Sequence, residues 1–76
     1  MYIIINNTTR SCARYEGNWP MGILEEQLSR GDRVIVISFY SNTIKVPYCV
    51  EDNGNMEWDW ASFPFDNETL AKYKSL

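Results

Sequence analysis

Apolar and polar positions along the chain fall into short blocks, and the first, Tyr2 to Asn6, is β-branched and closed by Asn6-Asn7-Thr8-Thr9. Residues of those types favour a strand and then a turn. Residues 10–16 can pair back as a second, weaker strand. Trp19-Pro20 then opens a helix, because Pro is tolerated at the first helical position and Met21, Leu24 and Leu28 recur at helical spacing, with Ile23 beside them. Arg30-Gly31 predicts its end, a basic last turn followed by a left-handed glycine cap.

The near-continuous apolar run at residues 33–40 predicts an interior strand covered on both faces. Residues 43–50 alternate, with Ile44, Val46, Tyr48 and Val50 on one side. Residues 55–63 alternate too, setting Met56, Trp58 and Trp60 against Glu57 and Asp59. Two registers join these last strands. A two-residue Asn53-Gly54 turn sets Tyr48 opposite Asp59 and Val46 opposite Ala61, apolar against charged. A three-residue Asp52-Asn53-Gly54 loop with a bulge sets Tyr48 opposite Trp58 and Val46 opposite Trp60. The second register matches the apolar faces and is the expectation. A loop centred on Ser41-Asn42 pairs Phe39 with Ile44, Ile37 with Val46 and Ile35 with Tyr48.

All three strands then share one apolar face, the expected seat for Met21, Leu24 and Leu28 of the helix. The other face of the meander, with Tyr40, Thr43, Lys45, Pro47, Cys49, Ala61 and Phe63, is half apolar and suits a second layer or a second subunit. Residues 66–76 offer Asp66 or Asn67 as an N-cap, with Leu70 and Tyr73 one turn apart, and predict a short C-terminal helix. The expected fold is α+β: a three-stranded antiparallel meander plus an N-terminal strand or hairpin, packed against one or two short helices, as a single domain over residues 1–76.

Seventy-six residues lie near the lower limit for a self-sufficient core, so a homo-oligomer is expected. The first residues, MYIIINN, have neither the basic start of a signal peptide nor the length of a membrane span, which predicts a cytoplasmic protein without a membrane partner. Cys12 and Cys49 have no CxxC spacing and are expected as reduced thiols. Net charge −3 argues against duplex nucleic acid, which needs clustered Lys and Arg. The charge is uneven. Residues 1–15 hold Arg10 and Arg14 and no acid, whereas residues 51–68 hold Glu51, Asp52, Glu57, Asp59, Asp66 and Glu68 and no base.

The chain has no histidine, so the commonest general base and metal ligand are missing, together with the Ser-His and Cys-His nucleophile pairs. Its four glycines form no phosphate loop, and zinc has too few ligands. A non-enzymatic protein without cofactor or metal is expected. The segment from Thr8 to Trp19 carries the chemistry of a phosphate-bearing ligand site. Arg10 and Arg14 can grip phosphate, the Thr8, Thr9 and Ser11 hydroxyls can donate to it, Tyr15 can stack on a base, and Lys45 can add charge. The structural alternative makes Arg10 and Arg14 surface residues, Tyr15 and Trp19 core, and the hydroxyls turn caps. A second candidate surface is the acidic stretch, with Glu57 and Asp59 beside Phe63 and Phe65, suited to a basic protein partner.

The start MYIIINNTTRS and the blocks YEGNWP, LEEQLSRGD and SFYSNTIKVP resemble the small accessory proteins of T-even-type tailed phages. The resemblance implies counter-defence in the cytoplasm of a host cell. One form is sequestration of a nucleotide signal, as anti-CBASS cyclic-nucleotide sponges do. The other is inhibition of a host defence protein, such as a CRISPR effector. Sequestration of a phosphate-bearing nucleotide by Thr8, Thr9, Arg10, Ser11, Arg14, Tyr15 and Lys45 is the first expectation. A protein–protein inhibitor or adaptor acting through Glu57, Asp59, Phe63 and Phe65 is the alternative.

Overall fold

A computed structural model describes residues 1–68 and 71. Strands β1 (Tyr2–Asn6), β2 (Ser11–Tyr15), β3 (Val34–Ser38), β4 (Thr43–Asp52) and β5 (Asn55–Pro64) form one sheet in the order β2-β1-β3-β4-β5. Every neighbouring pair is antiparallel. Helix α1 (Met21–Ser29) carries the chain from the edge strand β2 across β1 to β3.

This architecture corrects the α+β expectation: the protein is mostly β, a five-stranded antiparallel sheet with the nine-residue helix α1, rather than a sheet layered with one or two helices. The physical reason lies in both partners. The hairpin β1–β2 joins the meander edge to edge instead of standing apart, through β1–β3 pairs such as Ile4 with Val36. Helix α1 has nine residues and buries only Leu24 and Leu28, while Met21 stays exposed. Its two leucines cap Ile4, Val34 and Val36, with Tyr2, Tyr15, Trp19 and Trp60 around the margin. The expected C-terminal helix falls mainly on residues 69, 70 and 72–76, outside the described residues.

Helix α1 begins one residue later than its sequence signal, with Pro20 at the N-cap. Its end follows the signal closely. Gly31, at φ +83°, lets its own N–H reach the Leu28 carbonyl at 3.0 Å and the Asp32 N–H reach the Gln27 carbonyl at 3.1 Å. Those two bonds satisfy carbonyls that the helix end would otherwise leave open.

The β4–β5 register is the one the apolar match disfavoured. Tyr48 pairs with Asp59, Val46 with Ala61 and Asp52 with Asn55, around a two-residue turn. Asn53 and Gly54 lie at φ 50° and 83°, the two positive angles of a type I′ turn, whose twist matches that of its strands. The apolar rule lost because it needs a buried face, and residues 48–59 are exposed throughout. Register β3–β4 is likewise displaced by two residues, pairing Ile37 with Ile44. Two faces replace the single expected one. Val34, Val36, Lys45, Pro47, Trp58 and Trp60 lie on the helix side; Ile35, Ile37, Ile44, Val46, Tyr48 and Phe63 lie on the other. The half-apolar face expected for the meander is split in the same way, with Thr43 and Cys49 on the helix side and Ala61 opposite.

Because β3 pairs with β4 only over Val36–Ser38, the far part of β4 and β5 projects as a two-stranded ribbon. The molecule is accordingly elongated, 41 × 23 × 21 Å. No helix among the described residues is long and apolar enough to cross a membrane.

Candidate functional site

The residues expected around a phosphate-bearing ligand serve mostly to tie down the β1–β2 turn. Asn6, buried, accepts from the Thr8 and Thr9 N–H groups at 3.0 Å each. The Thr8 Oγ1 accepts from the Arg33 N–H at 2.8 Å, and the Asn7 N–H donates to the Arg33 carbonyl at 2.8 Å. Thr9 and Ser11 share a hydroxyl–hydroxyl bond of 2.8 Å. Three of the expected ligand donors thus have internal partners, an arrangement usual for hydroxyls in turns.

The remaining members do not converge. Arg10 stands exposed at φ 57° in the turn. Strand alternation sends Arg14, paired with Ile3, to one face of β2 and Tyr15, paired with Tyr2, to the other. Tyr15 packs on the core cluster. Lys45 shares Tyr15's face but lies level with Ala13 three strands away, about 14 Å at the usual strand spacing. Its ammonium donates to Ser62 at 2.8 Å. Trp19 is a packing anchor, edge to face with Tyr2 at 5.3 Å and with Trp60 at 5.1 Å.

The acidic alternative is assembled more fully. Glu57, Asp59, Ala61 and Phe63 follow one another along one face of β5, opposite Val50, Tyr48, Val46 and Ile44 of β4. The Tyr48 hydroxyl donates to Asp59 at 3.0 Å, and the carboxylate beside it holds the phenol above its ordinary value of 10.0. Tyr48 is 46% exposed and Phe63 54% exposed, so the row is an open surface. Phe65, just beyond the strand, is half-buried, and its N–H donates to the Asn42 carbonyl.

Sequence reasoning missed Val46, Tyr48 and Val50 as members of this acidic face, having placed them against the helix. The Asn53-Gly54 pair was the available signal, since that dipeptide selects the two-residue turn that brings them there. The ribbon's other face carries Met56 and Trp58, 67% and 45% exposed. An ion pair sits away from the ribbon. There Asp32 accepts from Asn6 at 3.0 Å and pairs with Arg30 at 2.9 Å; both hold its carboxyl below 3.8. Among the described residues, no group of three or more Cys, Asp and Glu is arranged to hold a metal ion.

Comparison with protein-family models, with curated proteins and with solved structures finds no match for this chain.

Proposed function

We propose that this chain is a non-catalytic binding protein, an inhibitor or adaptor that docks on a basic surface of another protein through its projecting β4–β5 hairpin. One observation carries the reading: residues 48–59 are all exposed, yet they include Tyr48, Val50, Met56 and Trp58 among Glu51, Asp52, Glu57 and Asp59, without a base. Exposed aromatic side chains are expensive to leave in water and are the residues that most often anchor protein interfaces. Acids around them steer a basic partner and set its orientation. In the counter-defence setting that the resemblance to phage accessory proteins implies, such a hairpin blocks a defence protein of the host. Nucleotide sequestration is the weaker reading because its expected ligands, Arg14, Tyr15 and Lys45, point to different faces or lie strands apart.

Affinity capture from bacterial lysate, with wild-type chain and with the Glu57→Lys/Asp59→Lys double variant, tests the proposal. Both positions are exposed, so the variant is expected to keep its fold. A retained protein that the double variant loses supports docking through this face. Identical capture by the two chains overturns it.

A further inference from the structure

Helix α1 and the helix-side face of the ribbon enclose a groove of about 550 Å³, a volume typical of sites that hold a small ligand or one side chain. Strand β5 supplies one wall through Met56, Trp58 and Trp60, α1 supplies the other through Met21 and Glu25, and Trp19 closes the end. Glu57 borders it through its place on β5, its side chain turned to the other face with Asp59, and no Lys or Arg is in the lining. Glu25 belongs to no ion pair among the described residues. Arg33 lines an adjoining depression at the base of the ribbon, which shares Leu28 and Trp58 with this groove.

We propose that this groove takes a cationic side chain, Arg or Lys, presented by the protein on which the hairpin docks. The inference rests on the docking reading and gives the partner a specific chemistry. Indole faces attract a cation through the ring quadrupole, and a guanidinium also stacks flat on them. The Trp58 indole is open to such a contact. Glu25, one residue after the buried Leu24, supplies a counter-charge from the helix shoulder. An apolar occupant would strip water from the Glu25 carboxylate without pairing it, and an anion would meet a like charge.

The indole N–H signals of isotopically labelled protein report occupancy when capped Gly-Arg-Gly is titrated in, with the neutral citrulline peptide as control. The Trp58 and Trp60 signals are expected to shift saturably with the arginine peptide and to ignore citrulline. Trp58→Leu weakens the arginine peptide by about two- to five-fold. Glu25→Gln weakens it by about threefold. Both positions are exposed, so neither variant should unfold the chain.

Equal shifts with citrulline, or none with arginine, overturn the proposal. If arginine leaves the indoles unmoved while capture still depends on Glu57 and Asp59, the groove assignment falls and docking stands. If arginine binds while capture ignores the charge reversal, the docking reading falls instead.

Discussion

Asn6 is 1% exposed and uses both ends of its amide: the oxygen accepts from Thr8 and Thr9, and the nitrogen donates to Gln27 at 3.1 Å and to Asp32 at 3.0 Å. Asn can do this because its side chain offers two donors and an acceptor with two lone pairs. Asn6→Ala leaves these partners without it and is expected to cost about 2–3 kcal/mol, read as a shift in the urea unfolding midpoint. The sequence marks Asn6 as a turn former, which covers its bonds to Thr8 and Thr9. Its bonds to residues 21 and 26 positions away arise only from tertiary packing and leave no local trace. Asp32 adds a pH dependence to this cluster. Hydrogen bonds from Asn6 and then Arg30 depress its folded value, so its contribution is present above 3.8 and is lost as pH falls through the lower folded value. Urea midpoints of the wild type should therefore fall from pH 5 to pH 2.5 more steeply than those of Asp32→Asn. Parallel curves would remove Asp32 from the account.

At the scale of elements, local punctuation is legible in this sequence and facing is not. The glycine stop at Gly31 and the strand at Tyr2–Asn6 lie where turn chemistry and β-branching place them. Both hairpin registers of the meander differ: the β3–β4 expectation rests on a loop centred on Ser41-Asn42, and the β4–β5 expectation on apolar matching across a face taken as buried. Where water reaches both sides of a ribbon, that matching has little energy behind it, and the conformational preference of Asn53-Gly54 decides. The same error hid the acidic face, since moving the pairing by one residue sends Tyr48 to the side of Asp59. Gly54→Ala tests the turn's authority. At φ 83° a Cβ costs about 1–2 kcal/mol, and with no neighbouring atom within 4 Å of it the cost is backbone strain rather than collision. Amide exchange should show the loss as faster exchange at residues 48–59 than in β1 and β3, whose strands are paired on both sides or capped by the helix. Uniform exchange across the five strands would contradict a turn that acts only on the ribbon.

Across the whole molecule, the work of folding and the candidate work of binding fall on different residues. Buried side chains come from β1, α1 and β3, namely Ile3, Ile4, Asn6, Leu24, Leu28, Val34, Val36, Ile37 and Ser38; none comes from residues 48–59. A two-stranded ribbon is at best marginally stable on its own, so in a chain of this size its length is not explained by a stability gain. The separation can be tested by shortening. Tyr48 and Asp59 lie four pairs from the turn-closing Asp52–Asn55 pair and so share its hydrogen-bonding phase, and replacing residues 49–58 with a single Asn-Gly pair closes the hairpin on an existing register. The shortened chain keeps Trp60 against Trp19 and the whole buried set. Its unfolding free energy is expected within about 1 kcal/mol of the full chain, since exposed positions contribute little individually. It should also lose every protein captured through the hairpin. Failure to unfold cooperatively would make the ribbon part of the core, and undiminished capture would move the docking surface back to the sheet. A stable, non-capturing chain is the outcome that the division of labour between β1–α1–β3 and the β4–β5 ribbon requires.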